Sequence, residues 1–213
     1  MEAFRFHTKA DQTILLGMRA ATIPELLEGV RTVPLSSIYY HTHHYLQQHQ
    51  FLSPEPPNDF AYWVTEVLVD PVLGEELSSI DIVQCSSIRE LQGRCLEILS
   101  AHGAGDHPSS RAPEGHEFHF MASRTFVLPT PFIAQDLPTF VEALLKVSVA
   151  SLYYHMFDAK LRLERGENDF SRWLAAIGKR DLADAIRSLD PYTHTLEGLR
   201  KRILVIARGG DGH

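Results

Sequence analysis

The residues best suited to chemistry are histidines, twelve in all, with His41-Thr42-His43-His44 the densest group. On a helix His41 and His44 project to one side, with Gln48 a turn further on. Neutral imidazole is a common metal ligand, so this spacing suits a zinc or iron site. Only His41 recurs later in the chain, as His155; His44 aligns with Asp158 and His43 with Phe157. A metal site present twice would therefore use His41 or His155 with Asp59 or Asp169. A metal site present once would combine His41, His44 and His155. The same residues support a plainer arrangement, a structural clasp in which each imidazole bonds the Asp at the start of the next helix. Such a bond satisfies two semi-buried polar groups that are otherwise costly to desolvate. We expect the clasp and no cofactor, with zinc or iron as the alternative. Tyr40 and Tyr154, beside the histidines, are expected to pack while their hydroxyls reach a wet edge.

The recurrence of His41 belongs to a longer repeat. Phe4–His41 aligns without gaps on Phe118–His155 at an offset of 114, and 10 of those 38 positions are identical. Ser37-Ile38-Tyr39-Tyr40-His41 is answered by Ser151-Leu152-Tyr153-Tyr154-His155. Asn58-Asp59-Phe60-x-x-Trp63 is answered by Asn168-Asp169-Phe170-x-x-Trp173. Ordered likeness of this length implies one structural unit used twice.

The elements that must position these residues follow from local pattern. Phe4-x-Phe6 and Phe118-x-Phe120 alternate as short strands, with Thr13–Met18 and Thr125–Leu128 as hairpin partners. Thr22-Ile23-Pro24-Glu25 and Asp136-Leu137-Pro138 open the first helix of each copy. A second helix runs from about Ser37 to His49 and from about Ser151 to Arg165. Asn58-Asp59 and Asn168-Asp169 cap a third, whose aromatic pairs share one face. A short fourth helix follows. A fifth begins near Ser87 and near Thr195, and Arg200-Lys201-Arg202 reads as its solvated face. The expected fold is mainly α with short β-hairpin elements, as two homologous helical repeats in a pseudo-twofold arrangement. The divisions are 1–99 and 117–206 for the repeats, 100–116 for a linker and 207–213 for a flexible tail.

Composition narrows the function. The net charge of −7 disfavours phosphate-backbone binding, so no nucleic acid is expected. No apolar run reaches membrane-spanning length, and Met1–Phe6 lacks the pattern of a secretory signal. Cys85 and Cys95 form no disulfide framework, which points to the cytoplasm; Cys95 aligns with Ile203, so it reads as buried. No Gly-rich phosphate loop, Gly-x-Ser-x-Gly elbow or Cys-x-x-Cys occurs. His116-Glu117-Phe118-His119 lacks the His-Glu-x-x-His spacing and falls on an expected strand. No residue is assigned a catalytic role.

The Phe-x-Phe, Ser-(Ile/Leu)-Tyr-Tyr-His and Asn-Asp-Phe-x-x-Trp motifs, each present twice in this order, resemble a bacterial and archaeal family catalogued as domain of unknown function 5752. The resemblance spans nearly the whole chain except linker and tail. It implies a portable module and no established activity. The leading reading is a noncatalytic binding or regulatory protein for a protein partner or small ligand. The alternatives are a His/Asp metalloprotein and a metal-free enzyme using a His–Asp cleft between repeats.

Overall fold

The computed structural model describes residues 2–44, 58–82, 84–103, 110–159, 161, 167–189 and 194–209. Over these the chain is mainly α-helical with a two-stranded antiparallel sheet. It opens with strand β1 (Phe4–Ala20), then α1 (Ile23–Thr32) and α2 (Leu35–Tyr39), which widens into a π-helical turn at Tyr40–His44. Helices α3 (Asp59–Glu66), α4 (Pro71–Ser78) and α5 (Ile88–Gly103) follow. The same order returns as β2 (Phe118–Ala134), α6 (Leu137–Leu144), α7 (Val149–Tyr153), a π-helical turn at Tyr154–Asp158, α8 (Asp169–Ala176), α9 (Arg180–Arg187) and α10 (Leu196–Ala207). Among the described residues no helix is long and apolar enough to cross a membrane.

Helix starts follow the capping chemistry of the sequence. The Thr22 hydroxyl accepts the Glu25 N–H, while the Glu25 carboxylate reaches back to the Ala21 N–H at 2.6 Å. Asp136 and Thr139 exchange bonds reciprocally. The Asn58 and Asn168 side chains accept from Ala61 and Ser171 at 2.8 Å each. These contacts satisfy N–H groups that an α-helix leaves without partners in its first turn.

Several local expectations are corrected. Thr13–Met18 does not fold back as a hairpin partner; it continues β1, whose partner is β2. Likewise Thr125–Leu128 lies within β2. The second helix begins earlier than expected, at Leu35 and Val149, and turns π-helical at Tyr40 and Tyr154; beyond residue 44, its first version lies outside the described residues. Arg200 does not join the solvated face of Lys201 and Arg202. It is buried, and its Nη1 donates to the carbonyls of Leu144 and Val147 at 2.7 and 2.6 Å, closing the end of α6. Helix α5 also continues to Gly103, past the expected start of the linker.

The chain divides into two compact units that are not sequential. The first comprises the described residues of Met1–Ala10 and Thr125–His213. The second comprises those of Asp11–Gln48 and Ser53–Arg124. In the first, Phe4 and Phe6 are buried with Phe140, Phe170 and Trp173; the Phe4 ring lies 5.5 Å from Phe170 and 5.7 Å from Trp173. In the second, Phe118 and Phe120 take the same place, Phe118 lying 5.3 Å from Phe60 and 5.7 Å from Trp63. Helices of one sequence copy thus bury the Phe-x-Phe strand of the other. Division by contact therefore differs from division by sequence likeness at the strands. Thr130 Oγ1 donates to the Phe6 carbonyl in the first unit, and Ser123 Oγ to Asp11 Oδ1 in the second, at 2.7 and 3.1 Å.

Close packing explains one glycine. A Cβ at Gly29 on α1 would enter the ring of Phe120. Gly29→Ala gains about 1 kcal/mol of helix propensity but overpacks the core, typically at about 1–3 kcal/mol. We expect net destabilisation in urea unfolding; an unchanged or raised midpoint would show that the ring has room. A second expectation concerns Asp136, whose carboxyl is held below its ordinary value chiefly by the Thr139 hydroxyl, with help from the Thr139 N–H. Because the folded value is depressed, its contribution is present above the ordinary Asp pKa and lost as pH falls through the lowered value. Asp136→Asn should flatten that acid limb of the stability profile, and an unaltered limb would assign it to other carboxylates.

Candidate functional site

Each unit centres on one imidazole with both nitrogens in use. His41, on the π-helical turn after α2, is 3% exposed. Its Nδ1 lies 2.8 Å from Oδ2 of Asp59, the first residue of α3, and its Nε2 accepts the Met121 N–H at 3.0 Å. His155 repeats this: Nδ1 lies 2.7 Å from Asp169 Oδ2, and Nε2 accepts the His7 N–H at 2.8 Å. A backbone N–H can only donate, so each Nε2 carries its lone pair and each Nδ1 its proton, directed at the carboxylate. Both rings are thus neutral and in the same tautomer.

The tryptophans complete a grip on the strand. Trp63 and Trp173 are buried, and their indole N–H groups donate to the carbonyls of His116 and Glu2 at 2.8 and 3.1 Å. In each unit the indole takes the carbonyl two residues before the first Phe. The imidazole takes the N–H just after the second Phe. Between these bonds the two Phe rings enter the core, Phe118 lying 4.7 Å from the His41 ring and Phe4 4.9 Å from that of His155.

The first unit adds a charged contact. Lys9 Nζ lies 2.8 Å from Asp158 Oδ2, with side chains only 1% and 11% exposed, and 4.8 Å from the Tyr153 ring centroid. Burial along β1 alternates from Phe4 to Phe6 and then shifts register, so that Lys9 is buried where strict alternation places it outward. The aligned residue on β2 is Ser123. These residues escaped sequence reasoning, although replacement of His44 by Asp158 and of Ser123 by Lys9 across the repeat was a readable complementary change.

Of the other expected site residues, Tyr40 is half-buried and Tyr154 buried, each ring edge-on to its neighbouring histidine at 5.0 and 4.9 Å. His43 is buried against the Thr42 hydroxyl and stacks on Tyr39. The His44 side chain lies outside the described residues. Among the described residues no group of three or more His, Cys, Asp or Glu could hold a metal ion. Burial pushes the Cys95 thiol up to about 12, giving an inert thiol. A further His–Asp pair, His102 Nε2 to Asp70 Oδ2 at 3.0 Å, ties the end of α5 to the cap of α4.

An open cleft of about 580 Å³ lies in the first unit. Arg5, His7, Tyr154, His155, Asp169 and Arg172 line it, with Phe4 and Trp173 as its apolar wall. Arg5 and Arg172 are exposed.

Residues 1–208 match the model of a family described as "Family of unknown function (DUF5752)". The chain belongs to the DUF5752 family. Within solved structures, the structure of OrfY from Thermoproteus tenax is similar to this DUF5752 chain, with a TM-score of 0.82 and 28% identity over 99% of this chain and 96% of that one. No curated protein matches it.

The geometry predicts how the grip fails. His155→Ala removes the ring bonded by both the Asp169 carboxylate and the His7 N–H, and should destabilise by about 1–3 kcal/mol in chemical denaturation; wild-type stability would deny the clasp a structural role. Lys9→Met removes a cation 2.8 Å from the buried Asp158 carboxylate and should cost about 3–5 kcal/mol. The double variant Lys9→Met/Asp158→Leu should recover much of that loss, and additive losses would refute coupling.

Proposed function

We propose that this protein is a noncatalytic binding or regulatory module for a protein partner or small ligand, built from two homologous helical repeats in a pseudo-twofold arrangement. One observation carries the reading. Both nitrogens of His41 and of His155 are committed, one to a carboxylate and one to a main-chain N–H. A general base needs an available lone pair within reach of substrate, and a metal ligand needs the same lone pair. Using either ring would first require the strand to let go.

The cleft of the first unit is the candidate surface. Its two exposed guanidinium groups, its aromatic wall and the Glu2 and Asp169 carboxylates suit an occupant with both polar and apolar parts. The net charge of −7 argues against nucleic acid, and two unpaired buried cysteines support a cytoplasmic setting. His155 and Asp169 on the cleft wall are the observation favouring a metal-free His–Asp enzyme. Against it stands the bond from the His7 N–H to Nε2, the atom such chemistry needs.

Long-range proton–nitrogen NMR of the imidazole rings separates these readings. We expect both His41 and His155 to carry their proton on Nδ1 and none on Nε2. A His155 ring with a readily protonated Nε2 would favour the enzyme. Stoichiometric zinc or iron in untagged protein, lost on His41→Ala, would favour the metalloprotein.

A further inference from the structure

The contacts around β1 are those of a peptide in a receptor. Glu2–Lys9 is held by α6, α7, the π-helical turn after it and α8, through three main-chain bonds, two buried rings and one buried ion pair. The Glu2 carbonyl accepts from Trp173, and the His7 N–H donates to His155. Phe4 and Phe6 are 8% and 1% exposed, and Lys9 meets Asp158. The Ser151 hydroxyl adds a bond to the His7 carbonyl at 2.6 Å. Main-chain bonds with pockets for alternate side chains are how proteins capture extended segments. The second unit holds Phe118-x-Phe120 through matching Trp63 and His41 bonds, without the lysine.

We propose that the helices of the first unit are a receptor for an extended Phe-x-Phe-x-x-Lys segment, occupied at rest by the chain's own Phe4–Lys9, and that the partner is a polypeptide presenting such a segment. This deepens the noncatalytic binding reading and rests on it. The resident arm is tethered, so its effective concentration is high and the receptor blocks itself. A partner segment enters when the arm is weakened or withdrawn. Phe at the first and third positions and Lys at the sixth set specificity. The intervening Arg5 side chain faces solvent, so that position is permissive.

The test uses the full chain carrying Phe4→Ser/Phe6→Ser, which weakens its own arm, and a fluorescein-labelled peptide spanning Glu2–Ala10. Where the variant is folded by circular dichroism, we expect saturable one-to-one binding by anisotropy, at least about tenfold tighter than to wild type. Where it is unfolded, the peptide should restore its helical signal. Peptides carrying Phe→Ser at both positions, or Lys9→Glu, should bind at least about tenfold more weakly or fail to restore it. A folded variant that ignores the peptide, an unfolded one that it does not restore, or equal response to the altered peptides overturns the receptor. These failures leave the noncatalytic reading standing, because that reading is decided separately by the His155 tautomer.

Discussion

An imidazole that accepts a backbone N–H on one nitrogen and donates to a carboxylate on the other is the constraint around which each unit is organised. It joins three pieces distant in sequence: the π-helical turn, the first residue of the following helix and a strand from the other copy. The arrangement admits one tautomer, because the backbone partner has no alternative role. It also orients the ring, as a second partner does for a catalytic histidine. Here the second partner consumes the atom that chemistry would need.

The π-helical turn presents that ring. Thr42 suggests a cause, since its hydroxyl takes the Ile38 carbonyl at 2.6 Å, competing with the helical N–H for the same acceptor. Met156 occupies the aligned position and has no hydroxyl, yet the π-helical turn is present there too. The hydroxyl therefore does not make the turn. What the two turns share is the histidine, tied on both sides, and the preceding Tyr-Tyr pair. A helix held at a fixed imidazole by two outside partners must adjust its own turns to meet them, and a wider turn is such an adjustment.

Much of this was legible. The caps at Thr22, Asp136, Asn58 and Asn168 read directly, since each is a short polar side chain ahead of an apolar run. The pairing of His41 with Asp59 and of His155 with Asp169 was readable once the repeat singled out the histidine that recurs. The partner of Nε2 was not readable, because a main-chain N–H leaves no mark on residue type. Neither was the exchange of strands. Phe4-x-Phe6 says only that two rings need a core; both copies offer nearly the same core, so local pattern cannot choose between them. A hairpin partner at Thr13–Met18 was a reasonable expectation from local pairing alone, and pairing with β2 overrode it. Arg200 was misread because a basic residue beside Lys201 and Arg202 looks solvated, and its carbonyl partners lie far off in sequence, Leu144 at the end of α6 and Val147 just beyond it.

What the copies do not share is more informative about function than what they do. The indole bond, the imidazole bond and the two Phe rings recur, so they serve the fold of each unit. Lys9 with Asp158, and Arg5 with Arg172, occur only in the first unit; their aligned positions are Ser123, His44, His119 and Tyr62. A buried lysine beside a carboxylate is a costly way to gain stability, since desolvating two charges offsets most of their attraction. Its attested use is to specify which of two similar partners is taken. In the copy to which Lys9 belongs, the position aligned with Asp158 is His44, which offers no carboxylate. The ion pair is thus the contact by which the Phe4–Lys9 strand differs from the Phe118–Ser123 strand in how its unit holds it.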